Sequence, residues 1–291
     1  MKILVLGNVF FSTSVNVSDF CSTDSEVYAD TIQNKISGGG IIISAVSSFL
    51  NMDVTFCTKT FSNQQLECLL RKLNRLGVKV EKLSGTSIND MNCMISIYNQ
   101  DLERQCYTFL PNEIKGEDLL EIQYSEYDVI FFCCIPYEHI KFLMAQGAYP
   151  ISQKTIIIAS GLTHQYIYNN SLRMSTDYIF MNGGELRDSL GLKNDIKFLL
   201  ASLETGYSKA VVTMGKKGVF IKKNNSILHC DVSDETEQII HPGGAGDAFA
   251  TGYIVGQLRG LSEQESVQLG HECAKSLLKV RSIEEYIDNI L

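Results

Sequence analysis

The chain has 291 residues, 45% of them hydrophobic and 20% charged, with a formal net charge of −8 and a pI near 5.2. Such a chain is able to bury a sizeable core, and its length suits a single α/β domain over 1–291. An acidic chain without a basic cluster lacks the counterion-releasing surface that nucleic acid or an anionic membrane would need, and no apolar run approaches the roughly 20 residues that span a bilayer.

In chain order, Met1-Lys2 leads at once into Ile3–Leu6. That run is too short for a signal-peptide core and reads as a strand, so a cytoplasmic protein is expected. Further β-rich runs are Val54–Thr58, Val78–Leu83, Val129–Cys134, Thr155–Ala159, Tyr178–Met181 and Ala210–Thr213. Helix-like segments at Gln64–Leu76, Glu138–Gln146 and Lys193–Leu203 lie between them. Val129–Cys134 and Thr155–Ala159 are continuously apolar, as a strand covered on both faces requires, and crossover helices imply a parallel sheet. Two stretches break the pattern, near 26–37 and 91–110. In the second, Cys93–Asn99 and Arg104–Phe109 alternate around a polar turn and read as a hairpin. A β-element inserted early in an α/β domain suits a lid or a dimer surface; extra strands on the sheet edge are the other reading.

Nine cysteines form no C-x-x-C pair, and five histidines show no H-x-x-x-H spacing. Most of the cysteines are expected to be small buried hydrophobes.

The segment carrying the strongest chemical signal is His241-Pro242-Gly243-Gly244-Ala245-Gly246-Asp247, followed by a helix-like stretch, Ala250–Leu258. Glycines ahead of a helix let backbone approach a ligand, and the helix start offers unpaired N–H groups and partial positive charge to a phosphate. Asp247 in the first turn can accept a proton from an attacking hydroxyl while those N–H groups stabilise the moving phosphoryl group. A glycine turn with Asp247 as a capping acid is the alternative.

Gly244-Ala245-Gly246-Asp247 resembles the second signature of the PfkB/ribokinase family of carbohydrate and nucleoside kinases. Two more motifs occur in that family's order. Asn182-Gly183-Gly184-Glu185, after the strand Tyr178–Met181, resembles N-x-x-E, which organises Mg²⁺ and phosphate mostly through water. Thr213-Met214-Gly215-Lys216-Lys217-Gly218 resembles the T-x-G-x-x-G nucleotide loop, although a plain hairpin turn is also compatible. The resemblance implies a ribokinase-like three-layer sandwich with a mostly parallel central sheet and a small β lid, and ATP and Mg²⁺ as cofactors; a homodimer through the lid is an arrangement that the inserted β-element suits. It implies nucleotide contacts from Thr213, Gly215, Gly218, Asn182, Glu185 and Gly243, with Glu185 reaching the metal through water. Asp247 would be the base, and Gly244, Ala245 and Gly246 the anion hole.

The sequence departs from the family in informative places. His241-Pro242 replaces the usual Asp-Thr, and either His241 or Lys216 and Lys217 would contact phosphate or stand in solvent. Gly7-Asn8-Val9-Phe10-Phe11-Ser12 has no hydroxyl-binding acid, and Asp19 comes too late to replace it. Substrate contacts then fall to Asn8, Ser12, Ser14, Asn16 and Ser44, with Gly38, Gly39 and Gly40 opening the helix-like run Ile41–Leu50. The expected function is an ATP-dependent kinase for a hydroxyl of a small sugar-like molecule. A nucleoside kinase and a non-catalytic ligand-binding relative are the alternatives. A dinucleotide-dependent oxidoreductase is disfavoured, because G-N-V-F-F-S stands where G-x-G-x-x-G would be needed.

Overall fold

In β1 (Lys2–Gly7), Ile3 and Val5 enter one apolar cluster, while Leu4 and Leu6 enter another. β8 (Val129–Cys133) divides in the same way, with Phe131 on one side and Ile130 and Phe132 on the other. A continuously apolar strand is therefore a strand with two buried faces. The computed structural model describes residues 1–22, 24–84, 90–101, 103–148, 155–159, 176–190, 195–202, 208–232, 239–240 and 243–291.

The main sheet has nine strands in the order β13-β12-β11-β10-β9-β8-β1-β4-β5. β4 (Asp53–Thr58), β5 (Lys79–Lys82), β9 (Thr155–Ala159), β10 (Tyr178–Asn182) and β11 (Lys209–Thr213) match the predicted runs closely. These strands pair in parallel with their neighbours, whereas β12 (Val219–Lys223) and β13 (Ser226–Cys230) add an antiparallel edge. That edge hairpin was not among the predicted strands.

On one face lie α1 (Gly39–Phe49), α2 (Gln64–Arg75), α7 (Ala245–Leu258), α8 (Glu263–Leu278) and α9 (Ile283–Ile290), contributing Ile41, Leu69, Tyr253, Leu277 and Ile287 to the first cluster. On the other lie α3 (Gly116–Leu119), α4 (Tyr137–Ala145), α5 (Gly183–Leu190) and α6 (Ile196–Ser202), contributing Leu119, Ile140, Leu186 and Leu199 to the second. The result is helix, sheet, helix: three layers. α7 starts at Ala245, ahead of the predicted Ala250, which places Asp247 inside its first turn. Of the predicted helix Lys193–Leu203, residues 193, 194 and 203 lie outside the described residues.

A second sheet stands apart, with strands in the order β3-β2-β6-β7: β2 (Phe10–Val17), β3 (Ala29–Ser37), β6 (Cys93–Tyr98) and β7 (Arg104–Phe109). The predicted hairpin is β6–β7, paired antiparallel from Cys93↔Phe109 to Tyr98↔Arg104. The extra strands are not appended to the edge of the main sheet. β2 was not among the predicted strands; F-F-S-T-S-V-N-V mixes hydroxyls with apolar residues. Its Ser12 and Ser14 are buried, and the polar character belongs to one covered face.

Only four of the nine cysteines are buried; Cys21, Cys68 and Cys106 are exposed, so the expectation of mostly buried thiols is corrected. Among the described residues no helix is long and apolar enough to cross a membrane.

Candidate active site

Where the chain passes between the two sheets, buried asparagines tie together the crossings at Asn8, Asn92 and Asn112. Asn8 donates through Nδ2 to the Cys134 carbonyl (3.0 Å) and accepts the Ile114 N–H (2.8 Å). Asn92 donates through Nδ2 to the Val9 and Asn112 carbonyls and accepts the Asn112 N–H. Asn112 in turn donates through Nδ2 to the Thr60 carbonyl at 3.0 Å. A fully satisfied buried network of this kind holds one relative placement of its members. Beside it the buried pair Lys59–Asp118 closes at 2.7 Å.

Between the second sheet and the carboxyl edge of the main sheet lies a cavity of about 560 Å³. Its floor is Gly38-Gly39 at the start of α1, Cys134 after β8, Glu185 in α5, and Gly243, Gly244 and Asp247 at the start of α7. Its roof is one face of the small sheet: Ser12 and Ser14 from β2, Lys35 from β3, Met94, Ser96 and Tyr98 from β6, and Arg104, Cys106 and Thr108 from β7. Leu277, Val280 and Ile283 supply an apolar side wall. The carboxyl edge of the strands is where open α/β sheets present ligand sites.

Asp247 is 8% exposed and is the third residue of α7. Gly244 precedes that helix with φ of +86°, in the left-handed region, and no described side chain caps it. Gly243, Gly244 and Asp247 of this helix start line the cavity floor, and a helix start of this kind favours an anion. Gly39 lies against Asp247: a Cβ there would stand 2.8 Å from the Asp247 Oδ1 and 2.5 Å from the Cys133 Sγ. Cys134, at the cavity wall, adopts φ of +54°, a strained conformation of the sort that collects at ligand sites.

Glu185 and Asn182 exchange hydrogen bonds. The Asn182 N–H donates to the Glu185 Oε2 (2.9 Å) and the Glu185 N–H donates to the Asn182 Oδ1 (2.9 Å), a reciprocal cap at the start of α5. Asn182 is also the register partner of Thr213, so the second and third motifs meet at adjacent strand ends. Thr213, Gly215 and Gly218 sit in the tight turn between antiparallel β11 and β12, closed by Met214 N–H to the Gly218 carbonyl at 2.9 Å. They do not line the cavity, and neither do Asn182, Ala245 and Gly246.

Among the predicted substrate contacts, Ser12, Ser14, Gly38 and Gly39 reach the cavity. Asn8 belongs to the asparagine network. Ser44 is fully buried in α1 and donates to the Gly40 carbonyl at 2.6 Å. Gly40 packs on Phe56, and Asn16 donates across the strands to the Thr31 hydroxyl. His241 and Pro242 lie outside the described residues. Sequence reasoning missed Lys35, Ser96, Tyr98 and Arg104 as cavity residues. The signal was present in C-M-I-S-I-Y-N, where period two puts Met94, Ser96 and Tyr98 on one face.

The two cations of the roof experience different surroundings. Burial pulls the Lys35 amine down to about 8, with Glu284 opposing the shift. Arg104 is exposed as a residue, but desolvation where it lines the cavity works against its charge too. There Tyr98, Cys106 and Glu185 together outweigh it and hold the guanidinium above its ordinary value.

The family model for pfkB family carbohydrate kinases matches residues 1–285. The ribokinase of Giardia lamblia superposes with a TM-score of 0.75 at 14% identity, covering 100% of this chain and 99% of that one. The ribokinase of Arabidopsis thaliana, solved with ribose and ATP, gives 0.71 at 15% identity, covering 99% and 98%. A cytidine kinase of Thermococcus kodakarensis is 38% identical over 74 residues, a match spanning 25% of this chain and 27% of that protein. The three-layer sheet with its second small sheet is thus the ribokinase fold, and the chain belongs to the pfkB family of carbohydrate kinases.

Proposed function

We propose that this protein transfers the γ-phosphoryl group of ATP to a hydroxyl of a small sugar-like or nucleoside-like acceptor held in the covered cavity. The observation that carries the reading is Asp247, a buried carboxylate at the start of α7 that lines a cavity roofed by a separate sheet. Asp247 accepts the proton of the attacking hydroxyl, and the N–H groups of Gly244, Ala245 and Gly246 take up charge on the transferred group. Gly243 and the loops carrying Asn182, Thr213, Gly215 and Gly218 lie toward the nucleotide. Ser12, Ser14 and Ser96, on the inner face of the lid sheet, hydrogen-bond acceptor hydroxyls. The reaction is mostly positioning and electrostatics, and the roof excludes water from it.

Oxygen donors suit Mg²⁺, and the carboxylates of Glu185 and Asp247 line the same cavity, so the residues present fit that ion. Glu185 would hold it through water, and the ion, when bound with nucleotide, neutralises phosphate charge. A nucleoside acceptor is the second reading, favoured by the local match to a cytidine kinase. Nine cysteines with no disulfide among them suit a reducing compartment such as the cytoplasm. The test is ADP release from Mg·ATP across sugars, sugar phosphates, polyols and nucleosides. Turnover on one acceptor class establishes the reading. No turnover on any, with ATP still raising Tm, replaces it with a ligand-binding role.

Two further results are expected. A Cβ at Gly246 would meet nothing within 4 Å, unlike one at Gly39 or Gly244. Crowding within the protein therefore does not explain a glycine at 246. Gly246→Ala is expected to leave Tm unchanged while weakening ATP binding roughly tenfold, because the methyl group occupies space the phosphate needs. Unaltered ATP affinity by calorimetry would remove Gly246 from the anion hole. The outer face of the lid sheet exposes Ile32, Ile95, Tyr107 and Phe109, an apolar surface of the kind that marks association sites. A two-fold dimer through this face is expected, converted to monomer by Tyr107→Asp. Sedimentation of the unaltered protein as a monomer at micromolar concentration would refute it.

A further inference from the structure

The inner face of the lid sheet is mostly neutral: Ser12, Ser14, Ser96 and Thr108 offer hydroxyls suited to a sugar. Arg104 departs from that chemistry. It is exposed at the start of the edge strand β7, yet it lines the cavity together with Glu185, Gly244 and Asp247. It is the register partner of Tyr98, whose side chain hydrogen-bonds it. The other roof cation, Lys35, sits on the opposite edge strand: Lys35 pairs with Ser12, Ser12 with Met94 and Met94 with Thr108, four residues along β7 from Arg104. The two cations thus occupy opposite corners. Lys35 feels the charge of Glu284, and Arg104 that of Glu185, with which it lines the cavity where the motif Asn182–Glu185 leaves the main sheet.

We propose that Arg104 is the oxyanion-binding residue of the lid, gripping a phosphate group of the bound ligand as the lid sheet covers the cavity. The planar guanidinium matches two phosphate oxygens at once, which a lysine does not. Tyr98 keeps the fork directed inward, and Glu185 shares the cation with the arriving anion. This inference rests on the kinase reading for its two sources of phosphate, which are the γ-phosphate of ATP and a phosphate already carried by the acceptor.

Binding calorimetry distinguishes the sources without turnover. The probes are ADP against a non-hydrolysable ATP analogue, both with Mg²⁺, and ribose against ribose 5-phosphate. The variants are R104M and R104K, with Tm as the folding check; Arg104 is exposed, so both are expected to fold. R104M should lose roughly ten- to hundredfold in affinity for one phosphate-bearing probe while keeping affinity for its partner, and R104K should lose less. Loss on the ATP analogue alone identifies the γ-phosphate, and loss on ribose 5-phosphate alone identifies a phosphorylated acceptor. Wild-type affinity of R104M for all four probes, or equal loss on all four, overturns the proposal. So does unaltered protein that binds neither phosphate-bearing probe more tightly than its partner. A protein that binds in the expected pattern and never turns over would sink the kinase reading and leave the role of Arg104 standing. Turnover with R104M indistinguishable from wild type would do the reverse.

Discussion

Replacing Asp247 with asparagine is expected to lower kcat at least about 100-fold while the protein keeps its fold. Asparagine has nearly the same shape, so the packing of the side chain against Gly39 survives. The backbone contacts of residue 247 survive as well: its N–H donates to the Gly244 carbonyl, and its carbonyl accepts the Thr251 hydroxyl at 2.8 Å. What is lost is the ability to take a proton. The predicted pattern is therefore a fall in kcat with KM for ATP and Tm close to unaltered, measured by ADP release and thermal melting. Near wild-type turnover in Asp247→Asn would remove this residue from the base role, and the carboxylate would be left as a helix-terminal charge worth only about 0.3–1 kcal/mol.

Gly38→Ala is expected to damage both stability and activity. Gly38 has φ of +145°, where an L side chain is strained. A Cβ there would also stand 2.6 Å from the Asn8 carbonyl oxygen, which is backbone and cannot rotate away. Left-handed strain of about 1–2 kcal/mol and overpacking of about 1–3 kcal/mol together predict a fall in Tm on the order of 10 °C. Kinetics should suffer too, because relief of the clash must move either the asparagine-tied crossing at Asn8 or the Gly38-Gly39 segment beside Asp247. The two effects are separable: at a temperature where the variant is fully folded by circular dichroism, kcat should still be reduced. A variant with unchanged Tm would mean that the close approach of these two crossings is not a constraint on the fold. Gly246→Ala, with open space at its Cβ, is the matched control.

The sequence was most informative where one physical cause dominates. Continuous apolar runs located the parallel strands, because a strand buried on both faces tolerates no polar alternation. The polar turn between alternating runs located the β6–β7 hairpin. The glycine-rich start of α7 located Asp247, because backbone approach to an anion needs residues without side chains in one short segment. Legibility failed for β2, whose alternating hydroxyls resemble loop composition until the face they cover is known. It failed too for Asn8 and Ser44. As isolated polar residues they read as ligands, yet both side chains are engaged inside the protein.

The sequence by itself thus determined the fold class, the order of the parallel strands along the chain, and the carboxylate at the start of α7. These depend on periodicity and on local backbone chemistry, which adjacent residues encode. Only the tertiary structure decided which polar residues share the cavity. Ser12, Lys35, Ser96 and Arg104 come from four strands, and cross-strand register, a long-range property, brings them to one face. Burial decided the rest: a polar side chain in the interior is hydrogen-bonded to something, and whether that partner is the protein or a ligand depends on neighbours that the linear chain does not reveal.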